Sequence, residues 1–135
     1  MRVTSKAITA TIGAAVAFLL GSGVAHAEGS WSNGMDGWLT GKESRHWTDN
    51  NKDTVATTVK LSGCTVSGAS SFKSATLQLK KERTALPDTV VARHDNACNT
   101  SNYGRQGKGG YYFNLSRING VDSGIKIWAT ASVKY

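Results

Sequence analysis

The chain has 135 residues, 16 Lys and Arg against 9 Asp and Glu, and a formal net charge of +7. That length supports one domain with one modest core and excludes two. The excess of positive charge suits anionic envelope polymers, acidic proteins or nucleic acid as partners, or serves only to keep the protein soluble.

In chain order, residues 1–27 come first. Arg2 and Lys6 form a basic start, Ala7 to Leu20 a short apolar run, and Ala25-His26-Ala27 an A-x-A cleavage site, the pattern of a secretory signal peptide. The apolar run is too short for a stable bilayer span, so no membrane anchor is expected. The mature protein is expected to begin at Glu28 and to be secreted.

Residues 28–51 are Gly-rich and polar, with widely spaced Trp31, Trp38 and Trp47 and little alternation. They read as an extended N-terminal arm or as irregular edge strands. Tryptophans are costly to leave in water, so each should find a core, a sugar ring or a partner's pocket. For Trp38 and Trp47 the expectation is packing over an open end of the body. Trp31, in Glu28-Gly29-Ser30-Trp31 next to the expected mature terminus, reads instead as an anchor for another protein's groove. On that reading its loss weakens partner capture and leaves the thermal midpoint nearly unchanged.

From residue 52 to 135 the pattern has period two, the signature of half-buried strands. Val55, Thr57, Val59 and Leu61 share one face, as do Ala75, Leu77 and Leu79, then Tyr111, Phe113 and Leu115, then Ile125, Ile127, Ala129, Ala131 and Val133. A shorter run covers Thr89 to His94. Turn formers separate these runs at Ser62-Gly63, Ser67-Gly68, Leu86-Pro87-Asp88, Gly107 to Gly110 and Asn119-Gly120. No segment after residue 27 shows an apolar stripe at helical spacing. The expected fold is all-β, about five or six antiparallel strands in a small sandwich or barrel.

Cys64 and Cys98 are the two cysteines, and in an oxidising compartment they are expected to form one disulfide. With His46 and His94 they lack metal-ligand spacing, so neither a metal nor another cofactor is expected. Trp128 lies opposite Ile127 and Ala129, among Lys126, Thr130 and Lys134, and reads either as an exposed binding residue or as cross-strand aromatic packing.

Catalytic signals are weak. His94-Asp95 lacks a nucleophile-elbow sequence. Glu43, Glu82, His46, His94 and Arg93 supply the residue types of a small secreted ribonuclease, but such enzymes usually pack a helix on their sheet and this pattern offers none. Two carboxyl groups in a deep cleft, as glycoside hydrolysis needs, are not expected from so small a core. The expectation is a non-enzymatic binding protein, with Glu28, Gly29, Ser30, Trp31, Trp38 and Trp128 as its candidate binding residues and no nucleic acid as partner.

The A-x-A signal, the Trp-bearing segment with Trp31 and Trp38, and the paired Cys64 and Cys98 on an all-β body together resemble the small adaptor component of secreted umbrella toxin particles of actinobacteria. The resemblance implies a repeat-containing stalk protein that takes the segment from Glu28 to about Trp38, and a lectin subunit held on the β body. Gly29-Ser30-Trp31 with Gly34, and Trp128-Ala129-Thr130-Ala131, are similar to the ends of lactococcin 972-type bacteriocins, from which the chain departs in its greater length and its two cysteines. A free-standing bacteriocin, a carbohydrate-binding protein and a ribonuclease are the alternatives.

Overall fold

The computed structural model describes residues 26–135, so the expected signal segment lies almost wholly outside the described residues. The described chain forms eight strands: β1 (Ser30–Trp38), β2 (Trp47–Asp49), β3 (Thr58–Ser67), β4 (Ala75–Lys81), β5 (Thr89–Asn96), β6 (Thr100–Asn102), β7 (Gly109–Ile118) and β8 (Lys126–Lys134). They make two four-stranded sheets, sheet A in the order β1-β8-β3-β6 and sheet B in the order β2-β7-β4-β5. Every pairing is antiparallel. Each sheet keeps two edges, so the architecture is a sandwich and not a closed barrel.

The alternation in the sequence becomes the core. Val59 and Leu61 of β3, Leu77 and Leu79 of β4, Phe113 and Leu115 of β7, and Ile127, Ala131 and Val133 of β8 are buried between the sheets. Their neighbours in each strand face outward, as the pleat requires. Strands β1, β2 and β6 account for the difference from the smaller expected number. β1 was hard to see because Gly and Ser fill its outward positions, and β2 and β6 are too short to show a period.

Loops fix the register. At Asn119-Gly120 both residues have positive φ, 51° and 76°, and Ile118 and Val121 exchange backbone hydrogen bonds across them. This is the tight turn that an Asn-Gly pair favours. The Asn119 side chain also accepts from Lys73 N (2.7 Å) and donates to Ser71 O (2.8 Å), so it ties the turn to the β3–β4 loop.

Ser62-Gly63, expected as a turn, is instead a bulge inside β3, with Gly63 at φ 62° and the β8 register shifting between Ser62 and Thr65. The bulge presents Cys64 to Cys98, with Cα atoms 5.9 Å apart in a disulfide. Cys98 lies in the crossover from β5 in sheet B to β6 in sheet A, so the bond holds that crossover to β3. Fully buried Asn96 supports the same corner. Its amide donates to Asn99 O (2.7 Å) and Ser101 Oγ (3.0 Å), and its oxygen accepts from Asn99 N (3.0 Å).

Candidate functional site

The segment 28–51 takes the second of its two readings, that of edge strands. β1 pairs with β8 from Ser30↔Lys134 to Trp38↔Ile127, and the Gly29 and Tyr135 backbones exchange hydrogen bonds of 2.8 and 3.0 Å. Glu28 is held as well: it accepts from Asn50 N (2.9 Å), Asn50 Nδ2 (2.6 Å) and Lys52 N (3.2 Å). Loss of water pushes the Glu28 carboxyl up, but those hydrogen bonds and the Lys52 charge outweigh it, so the group titrates below its ordinary 4.5.

Trp31 therefore does not project as a free anchor. Its partner Val133 faces the core, and by alternation so does Trp31. Its half-buried indole stacks on Phe113 (centroids 6.2 Å apart, planes 4° apart) and meets Trp47 at 5.8 Å, with the Arg45 guanidinium 5.5 Å from the ring. Trp38 meets Phe113 at 6.0 Å, and Trp47 stacks on Tyr111 and Tyr135. The three tryptophans thus pack over the open end of the sandwich between the β1 and β2 edges, as expected for Trp38 and Trp47 and contrary to the expectation for Trp31. The physical reason is that β1 gains a ladder on β8 from Ser30 to Met35 while burying Met35 and half-burying Trp31.

Trp128 lies elsewhere. It sits on the outer face of sheet A and is 38% exposed, with Gly37 close beneath its ring. A Cβ at Gly37 would lie 3.5 Å from the indole, in ordinary contact, so it is the backbone, at φ 64°, that favours glycine there. Around Trp128, register places Ser32, Ser132 and Lys60 in one row, Gly34, Thr130 and Ser62 in the next, and Thr65 directly opposite the tryptophan. The result is a flat face of small hydroxyl side chains, with one large aromatic and the cations Lys60, Lys126 and Lys134. Among the described residues those three lysines form no ion pair.

The outer face of sheet B has a different chemistry. Oriented to satisfy both neighbours, the Gln78 amide accepts from Arg93 Nη2 (2.7 Å) and Nε (3.0 Å) and donates to Asn114 Oδ1 (3.1 Å). Thr76 donates to Asp95 (2.6 Å) in the same layer. At one end His46 stacks on Tyr112 at 4.2 Å and pairs with Glu82, while the Tyr112 hydroxyl donates to Asp88 (2.6 Å). That bond and the Arg83 N–H hold the Asp88 carboxyl below its usual range. Burial, then the hydrogen bond to Asp88, push the Tyr112 phenol well above 10, so it stays protonated and cannot serve as a base near neutral pH.

The residue types singled out for a ribonuclease divide between the two faces of sheet B. His46 lies with Glu82 on the outer face. His94 pairs in register with inward-facing Leu77 and meets Tyr103 edge-on at 4.7 Å. Among the described residues no cluster of three or more His, Cys, Asp or Glu could hold a metal ion, and no helix is long and apolar enough to cross a membrane.

The candidate residues accordingly divide in two. Glu28, Gly29, Ser30, Trp31 and Trp38 gather along the β1 edge, and Trp128 lies on the broad face of sheet A. Sequence reasoning missed the His46–Tyr112–Asp88 cluster because its members come from separate elements, and only the placement of Tyr112 outward from Tyr111 hinted at it. The chain matches no family model, no curated protein and no solved structure.

Proposed function

We propose that the chain is a secreted, non-enzymatic binding protein that serves as an adaptor subunit in an extracellular antibacterial toxin complex. The observation that carries the reading is Trp128, 38% exposed on a β8 face whose other side chains are mostly small hydroxyls and lysines, with Asp36 beside Gly34. A large aromatic held rigidly on a sheet is the kind of side chain that dominates binding energy at an interface. The opposite face, with its hydrogen-bonded Arg93, Gln78 and Asn114 row, is chemically distinct, so one small body can present different surfaces to two partners. The disulfide supports an oxidising location.

Affinity capture of the tagged protein from culture supernatant tests the reading. The expected result is stoichiometric recovery of larger secreted proteins, one a repeat-containing stalk and one a lectin, and loss of at least one with Trp128→Ala. Recovery of the protein alone, with growth inhibition by the purified material, would replace the adaptor by a free-standing bacteriocin.

A second reading has an observation of its own. An indole lying over a glycine and ringed by hydroxyl groups is also a platform on which a sugar ring stacks, so binding to polysaccharide that Trp128→Ala abolishes would favour a carbohydrate-binding protein.

A further inference from the structure

β1 is an edge strand, and what its free side offers follows from the ladder. Gly29 and Tyr135 exchange both their backbone hydrogen bonds. In an antiparallel pair such residues alternate with others that turn both groups away from the partner. Trp31 and Asn33 therefore bond to β8, whereas Ser30, Ser32 and Gly34 direct N–H and C=O outward, and among the described residues those groups have no backbone partner.

Exposed edges are normally blunted by lysine, proline or inward-pointing charge. The stretch Ser30-Trp31-Ser32-Asn33-Gly34 has none of these. Beside it runs a cleft of about 50 Å³ between the sheets, lined by Trp31, Met35, Trp38, Ser44, Arg45 and Phe113. The Trp31 indole N–H is buried there without an acceptor, and Arg45, among the described residues, forms no ion pair.

We propose that the free edge of β1 is a strand-addition site for an extended segment of a partner protein. The segment's backbone completes the ladder at Ser30, Ser32 and Gly34. Its inward residues are small and apolar to fit the cleft, and it carries a carboxylate for Arg45. A second copy of this chain fits less well. Its own β1 would bring Trp31 or Met35 to a cleft that has no room for either, and would set Arg45 of one copy beside a strand whose first carboxylate, Asp36, comes only at the far end.

The inference rests on the binding-protein reading, and the test separates the two. The probe is a capped peptide as long as β1, alternating threonine with alanine or valine and carrying one glutamate, followed by fluorescence anisotropy and by amide hydrogen exchange. Binding should slow exchange at Ser30, Ser32 and Gly34 while β8 amides are unchanged. Ser32→Pro removes an outward N–H and leaves the backbone ladder to β8 in place, losing only the Ser32 hydroxyl contacts with Ala131 O and Ser132 Oγ, which Ser32→Ala removes as a control. The proline, but not the alanine, should weaken binding roughly tenfold or more, about the value of one well-formed hydrogen bond. Arg45→Glu, which keeps the β1 backbone ladder and removes only the guanidinium beside the Trp31 ring, should reverse the preference from the glutamate peptide to its lysine counterpart.

Absence of binding at about 1 mM peptide, protection elsewhere than on β1, or self-association through β1 in place of peptide binding would overturn the site. If Ser32→Pro captures secreted partners as well as the unchanged protein does, strand addition is also refuted and the adaptor reading stands. If neither protein captures a partner, the adaptor reading is what fails.

Discussion

Two tryptophans of the same sheet show how position decides what an indole does. Trp31 faces inward on β1 and closes the aromatic row of Phe113 and Trp47, so Trp31→Ala should cost about 2–3 kcal/mol of stability in urea unfolding, less than a fully buried tryptophan because the ring is half exposed. Trp128 faces outward, and Trp128→Ala should change stability by no more than about 0.5 kcal/mol while weakening partner capture by roughly 2 kcal/mol. Trp128 could be read from the sequence because strict alternation in β8 fixes its side. Trp31 could not: its neighbours Ser30, Ser32 and Gly34 are poor strand markers, and the stacking partners that bury it lie far away in sequence. Asn96 was equally hidden, since a buried amide announces itself only through its partners. Asn96→Ala should leave the Asn99 and Ser101 groups unsatisfied and cost about 2–3 kcal/mol.

At the scale of elements, the β3 bulge, the disulfide and the β5–β6 crossover form one device. The bulge at Gly63 turns Cys64 toward Cys98, and the bond fixes the loop through which the chain changes sheets. Reduction, or Cys64→Ser with Cys98→Ser, should lower unfolding free energy by roughly 3–4 kcal/mol, since the bond closes a loop of intermediate length. Thiol titration of the unfolded, unreduced protein should find no free thiol. The alternating strands β3, β4, β7 and β8 and the cysteine pair are legible because alternation and cysteine count are local signals, whereas the equally long β1 is not. The bulge was read as a turn because Ser-Gly looks the same in both, and only pairing to β8 on each side of it distinguishes them.

At the scale of the whole molecule, two outer faces of unlike character sit on one core, and acid stability is tied to two exposed carboxylates, one at the β1 edge and one at the end of the sheet B face. Glu28 and Asp88 both titrate below their ordinary values of 4.5 and 3.8. Their contribution is therefore complete above those values and is lost as the pH falls through the lower folded ones. The thermal midpoint should decline in that acid range, and less steeply for Asp88→Asn and Glu28→Gln than for the unchanged protein. Added salt should reduce the effect at both exposed sites.

The pairing of β1 with β8 reaches further than binding. The earliest strand of the described chain finds its neighbour only in the latest one, and β8 also lies between β1 and β3, so sheet A has no middle until β8 arrives. Sheet B has a local hairpin in β4 and β5, but assembly of sheet A must be slow and late, governed by long-range closure. A chain cut before Lys126 should lack sheet A, leave the inner face of sheet B uncovered, and be protease-sensitive.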